Sequence, residues 1–115
     1  MQNSTIKMKA IPNDYGDSVI EFGRINPFAN VCKETGDFEF VNIVTIYHPD
    51  DKLIEIGSYR KFFDRPFNLH IEGIAKLAID EIVKTVNPKR CVVKVFLEGN
   101  EDLTDWNVTM KYIKR

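Results

Sequence analysis

The stretch DFEFVNIVTIY, residues 37–47, decides the fold. Read at a period of two, Phe38, Phe40, Val44 and Ile46 share one face, interrupted by Asn42, while Val41, Ile43, Thr45 and Tyr47 share the other. A strand that is apolar on both sides is covered on both sides, by helices or by another subunit. Working outward, His48-Pro49-Asp50-Asp51 reads as a turn and Lys52 to Ile56 as the hairpin partner. Upstream, Ser18 to Phe22 is a short strand, and the first dozen residues read as a loosely held lead-in.

The spacing predicts a helix from about Asn68 to Val86, because Ile71, Ile74, Ala75, Ala78, Ile79, Ile82, Val83 and Val86 recur every three or four residues. Asn87-Pro88 stops it, since proline disfavours helix in the residue before it. Ser58 to Asp64 is a shorter helix or an irregular turn. Arg90 to Glu98 is a strand, Gly99-Asn100-Glu101-Asp102 a turn, and Leu103 to Ile113 the last strand, with Trp106, Val108, Met110 and Tyr112 alternating with Asn107, Thr109 and Lys111. The expected architecture is one α+β domain: an antiparallel four-stranded sheet with helices on one face.

The bulk numbers agree with one domain. A chain of 115 residues has room for one core, and 43% hydrophobic with 29% charged residues is the composition of a globular protein. A net charge of −1 supplies no global basic field for nucleic acid or anionic membrane. No apolar run approaches the roughly 18 residues of a membrane span, and MQNSTIKMK has no apolar signal core, so the expected address is cytoplasmic. His48 and His70 are the only imidazoles and no CxxC pair occurs, so no metal site is expected.

Cys32 and Cys91 differ in setting. Cys91 shares a strand face with Val93, Val95 and Leu97, where burial accounts for it. Cys32 sits among Asn30, Lys33, Glu34 and Thr35, a loop setting in which Lys33 would favour the reactive thiolate. Both readings of Cys32, inert small residue and nucleophile, stand on composition. Glu72 has a plain reading too, because Glu72, Lys76, Asp80 and Lys84 recur every four residues as on an ion-paired helix face.

Phe28 and Cys32-Lys33-Glu34-Thr35-Gly36, an F-x-x-x-C-x-x-T-G arrangement, with Glu39-Phe40 seven residues on and Glu72 sixteen residues before Pro88, resemble the QueF family of tunnel-fold (T-fold) enzymes. Glu55-Ile56-Gly57-Ser58-Tyr59-Arg60-Lys61-Phe62 is similar to that family's nicotinamide-cofactor motif, and the resemblance covers roughly residues 10 to 97 in order. It implies a T-fold that oligomerises into a barrel with sites between subunits, and reduction of the nitrile of 7-cyano-7-deazaguanine to an aminomethyl group with NADPH. Cys32 would attack the nitrile as a thiolate, and Glu39 would be the general acid. Glu72, with His70 beside it, would hold the base; Glu55, Ser58, Tyr59 and Arg60 would meet the cofactor, Arg60 and Ser58 at a phosphate.

The sequence also departs from that pattern. Glu39 stands for an aspartate, Ile71 for a histidine, Gly57 for a lysine, and the glycine pair expected near Phe96 is absent. Two other readings therefore stand beside the reductase. One is an amidinotransferase acting on the same nitrile within tRNA or DNA, and the other is a non-catalytic T-fold protein that binds a purine-like ligand.

Overall fold

The computed structural model describes residues 6–65, 67–97 and 105–115. Its elements are β1 (Ala10–Pro12), a short 3-10 helix (Gly16–Ser18), β2 (Glu21–Val31), β3 (Phe38–His48), β4 (Lys52–Ile54), α1 (Ile56–Phe63), α2 (Ile71–Val86), β5 (Arg90–Leu97) and β6 (Trp106–Ile113). Four strands form an antiparallel sheet in the order β2-β3-β5-β6, and β1 pairs with β4 in a separate two-stranded ribbon. The architecture is α+β, with an antiparallel sheet and helices on one face as expected. The turn expected at Gly99–Asp102, with Glu98 and Leu103 beside it, lies outside the described residues.

The central strand β3 keeps the period seen in the sequence. Val41, Ile43, Thr45 and Tyr47 are buried beneath the helices, with Val41 and Ile43 at 0% exposure. α2 lays Ile71, Ile74, Ala75, Ala78, Ile79, Ile82 and Val86 on this face and on Cys91, Val93 and Val95 of β5. Two alanines in the stripe let the helix backbone approach the sheet closely. The helix starts three residues later than the spacing predicts, with His70 as N-cap. It ends at Asn87, whose left-handed φ of 46° and N–H to the Val83 carbonyl (2.9 Å) close the last turn before Pro88.

Two expectations are corrected. Lys52 to Ile56 is not the hairpin partner of the central strand: Lys52–Ile54 pairs with Ala10–Pro12, and Ile56 opens α1. The reason is that β2 and β5 already occupy both edges of β3, so β4 finds its ladder on the incoming chain. The lead-in is accordingly tied down from Met8 onward: Met8 is 5% exposed, and its N–H donates to Glu81 at 2.7 Å.

Secondly, the short strand expected at Ser18 to Phe22 is an eleven-residue strand from Glu21 to Val31. Its ladder with β3 shifts register between Ile25 and Phe28, a bulge where the sequence reads Asn26-Pro27. Proline lacks an N–H for the ladder, and β2 is an edge strand, where that loss is tolerated. Glu21, Gly23 and Ile25 face the helices before the bulge, and Phe28 and Asn30 face them after it. Gly23 lies under the Tyr59 ring, Phe28 packs on Phe63 and Phe67, and Asn30 is 1% exposed.

The other sheet face is open. Phe22, Phe38, Phe40 and Ile46 are 64%, 64%, 53% and 39% exposed on it. Replacing Ile74, at 0% exposure, by alanine is expected to cost about 2–5 kcal/mol of unfolding free energy, whereas Leu77→Ala on the half-exposed helix face costs less than about 1. Urea denaturation of the two variants measures the difference.

Candidate active site

The β2–β3 hairpin places Cys32. The Cys32 N–H donates to the Asp37 carbonyl at 2.8 Å, and the Gly36 N–H returns to the Cys32 carbonyl at 2.8 Å. Gly36 takes a φ of +76°, which favours glycine over any residue with a side chain. Inside this tight loop the Asp37 N–H donates to the Thr35 hydroxyl at 3.1 Å. The Cys32 thiol is partly exposed, and its pKa lies below the ordinary cysteine value. The largest cause is the Thr35 hydroxyl, followed by the Thr35 and Glu34 backbone N–H groups; desolvation and then Glu39 oppose them. The thiolate thus owes its stability first to Thr35 and not to the neighbouring Lys33.

Cys91 is the contrast. At 1% exposure on β5, its thiol is pushed up to about 12 by burial and is a packing residue, as expected from its strand.

Glu39 stands directly across the ladder from Asn30, two residues before Cys32. The Asn30 Nδ2 donates to Glu39 Oε1 at 2.9 Å and to the Leu69 carbonyl at 2.9 Å, and its Oδ1 accepts from the Leu69 N–H at 3.3 Å. Beside it the Val31 N–H donates to the Phe67 carbonyl at 3.0 Å. These bonds tie the end of β2 to the segment that leads into α2. The thiol, the Glu39 carboxylate and the first turn of α2 are thereby gathered at one end of the sheet.

At that helix start Glu72 is exposed in the first turn, where the helix dipole favours a carboxylate. His70 turns its ring to the hairpin, with Nε2 2.9 Å from Glu34 Oε1. Ile71, where the resemblance has a histidine, is 8% exposed and belongs to the core. The expected ion pairs of this helix are partly present: Lys76 meets Asp80 at 2.9 Å, but Lys84 meets Glu81 at 3.8 Å.

The residues expected at a cofactor divide. Glu55 caps α1, its carboxylate accepting from Gly57 N–H at 2.7 Å and Ser58 N–H at 2.8 Å. Ser58 is 5% exposed; its hydroxyl donates to the Glu55 carbonyl and accepts from the Lys9 N–H, each at 2.7 Å. Tyr59 is 7% exposed and donates to the Thr45 hydroxyl at 2.8 Å. Arg60 is exposed and lines a cleft of about 570 Å3 between the first half of β2 and α1, with Arg24 and Glu21 on its wall and Tyr59 and Thr45 at its floor. Ser58 and Arg60 therefore do not stand side by side: Ser58 fastens the helix to the incoming chain and Arg60 faces the cleft.

Sequence reading missed Asn30, Arg24 and the part played by Thr35. Asn30 carried a signal, a lone amide in the apolar run Phe28-Ala29-Asn30-Val31 just before Cys32.

No family model matches the chain. A Chlorobaculum tepidum protein named NADPH-dependent 7-cyano-7-deazaguanine reductase is 31% identical over 110 residues, covering 93% of this chain and 93% of that protein. Proteins of the same name from Chlorobaculum parvum (34% over 86 residues, 72% of this chain and 66% of theirs) and Thermomicrobium roseum (28% over 90 residues, 76% and 70%) are similar as well. With that identity sustained across nearly the whole length, the chain belongs to the family of NADPH-dependent 7-cyano-7-deazaguanine reductases, the QueF family.

Proposed function

We propose that the chain reduces the nitrile of 7-cyano-7-deazaguanine to an aminomethyl group with NADPH, through a thioimide on Cys32. The observation that carries this reading is a thiol whose ionised form is favoured by Thr35, placed beside a carboxylate that is itself held in position. The names of the relatives support the substrate and the reductant, and they favour reduction over amidino transfer or a purely binding role.

In the first step the Cys32 thiolate adds to the nitrile carbon. A C–S bond forms, one C–N π bond breaks, and its electron pair arrives on nitrogen. Glu39, having taken the proton that leaves the Cys32 thiol, delivers it to that nitrogen and is again a carboxylate. Glu72 accepts the two adjacent N–H donors on the recognition edge of the guanine-like base, which fixes the nitrile relative to the thiol. The cleft suits the phosphate end of NADPH, since Arg60 and Arg24 line it and guanidinium pairs well with phosphate. NADPH held there would supply the hydrides, one from each of two molecules in turn: the first would expel the Cys32 thiolate as the C–S bond breaks, and the second, with one proton from solvent, would complete the amine.

The same reading includes assembly as a T-fold. The open sheet face exposes Phe22, Phe38, Phe40 and Ile46, and β2 and β6 are unpaired at their outer edges among the described residues. Closure with further copies into a barrel covers the edges. It also addresses a distance: Arg24 is near the start of β2 and Cys32 just past its end, eight residues on, up to roughly 25 Å at strand rise. A hydride passes only at contact, so the cleft of one copy would serve the Cys32 of a neighbour.

Incubation with 7-cyano-7-deazaguanine alone is expected to add the nitrile's mass to the intact protein, and not to Cys32→Ala. NADPH is then oxidised by the wild type only. Adduct without NADPH oxidation would point to transfer, and base binding without adduct would end the catalytic reading. Alkylation by iodoacetamide gives a second check, with a midpoint pH at Cys32 below that of an ordinary thiol and no reaction at Cys91 in the folded protein. Thr35→Val moves the Cys32 midpoint upward, because the hydroxyl that favours the thiolate is gone.

A further inference from the structure

Asn30 is the most fully engaged polar side chain at the site. It is 1% exposed, and each of its polar atoms has a partner: Nδ2 donates to Glu39 Oε1 and to the Leu69 carbonyl, both at 2.9 Å, and Oδ1 accepts from the Leu69 N–H at 3.3 Å. The amide orientation is dictated by these partners. Turned over, its oxygen would meet a carboxylate and a carbonyl, and its NH2 would meet an N–H. The backbone around it is held as well, by the bridge between Asn30 and Phe67 and the Val31-to-Phe67 bond.

This geometry has a chemical consequence for Glu39. In a carboxylic acid the carbonyl-type oxygen is the better acceptor, and the hydroxyl oxygen carries the proton. A buried N–H fixed on Oε1 therefore selects Oε1 as the acceptor, so that a proton in transit through Glu39 is carried on Oε2. Glu39 also has one methylene more than the aspartate of the resembled pattern, hence one more torsion to fix, and Asn30 fixes it from across the ladder. Cys32 lies two residues beyond Asn30, as the first residue after β2.

We propose that Asn30 is a positioning residue for the first chemical step: by holding Glu39 Oε1 it presents Oε2 as the single oxygen that protonates the nitrile nitrogen while the Cys32–carbon bond forms. The inference rests on the proposed function. It assigns Asn30 no contact with substrate and no proton of its own.

The test is a double-mutant cycle on the rate of adduct formation, followed by quenched intact-mass spectrometry at saturating 7-cyano-7-deazaguanine without cofactor. In the wild-type background, Asn30→Ser is expected to slow the step by about 10- to 100-fold, the scale of a displaced catalytic group, with half-saturation unchanged. In a Glu39→Gln background the same substitution should cost less than about threefold, since the group it positions is already gone. Equal fractional losses in both backgrounds would make Asn30 a structural residue only and overturn the proposal. If Asn30→Ser fails to fold, Glu39→Asp decides with Asn30 untouched. The shorter acid draws back from the amide and should be slower by about tenfold, on the same positional scale. A rate equal to or above wild type would overturn the proposal. Wild-type protein that binds the base and forms no adduct overturns the function itself, and this inference with it. Adduct formation with multiplying losses overturns the role of Asn30 alone.

Discussion

β3 has no free edge, and much of the molecule is arranged by that constraint. β2 and β5 hydrogen-bond to it on either side, while the helices bury one of its faces. The chain leaving β3 cannot fold straight back onto the sheet, so it turns at Pro49 and Asp50 and pairs with the incoming residues 10–12. Asn13 fastens this detour, its side-chain N–H reaching the Asp50 carbonyl at 2.7 Å and its backbone N–H the Asp51 carbonyl at 2.9 Å. The detour delivers α1 beside β2, and with it the cleft wall that carries Arg60. The opposite end of the ladder is a hairpin loop, and that loop carries Cys32.

Between those two ends, two buried tyrosines are paired into connections between elements. Tyr47 donates to Glu21 at 2.5 Å and accepts the Ile54 N–H at 2.8 Å, joining β2, β3 and β4. Tyr59 joins α1 to Thr45, and burial pushes its phenol up to about 12, which keeps it a donor throughout the physiological range. Arg65 packs its guanidinium 4.8 Å from the ring centres of both Phe62 and Phe67, bracing the link between the helices. A buried donor left unpaired would cost about 1–3 kcal/mol, so the two tyrosine hydroxyl bonds fix geometry as well as stability, whereas among the described residues the buried Arg65 Nε has only the rings beside it. Environment likewise separates the two cysteines: the same thiol is favoured as an anion in a loop of N–H and O–H donors and suppressed within a strand core.

Legibility in the sequence followed periodicity. α2, β3 and β5 were readable because their apolar residues repeat at 3.6 or 2 and each makes its pattern locally. β2 was not, since Gly23, Asn26-Pro27 and Asn30 interrupt the alternation and each looks like a loop residue in isolation. The residues paired between β1 and β4 are 40 to 44 apart in the chain, a pairing no local pattern encodes. Cys32, Glu39 and Glu72 were singled out by spacing and resemblance, and the fold brings their elements to one end of the sheet. Glu55, Ser58 and Tyr59 matched a motif yet turn their polar atoms to the protein itself. Spacing along a chain names residue types; whether a hydroxyl faces a cleft or a backbone depends on packing that spacing does not contain.

The irregularity in β2 between Ile25 and Phe28 also sets the phase of everything after it. Up to Ile25 the odd-numbered residues of β2 face the helices, and from Phe28 the even-numbered ones do. With the same residues and no shift at that point, the first register carried on would set Asn30 opposite Phe38 on the uncovered side. A strand so paired would still alternate along β3, yet its amide would look away from the Leu69 backbone and the helices. The bulge thus acts as a half-turn in the wiring of the strand: one extra residue between Ile25 and Phe28 lets the odd-numbered first half and the even-numbered second half face the same helices.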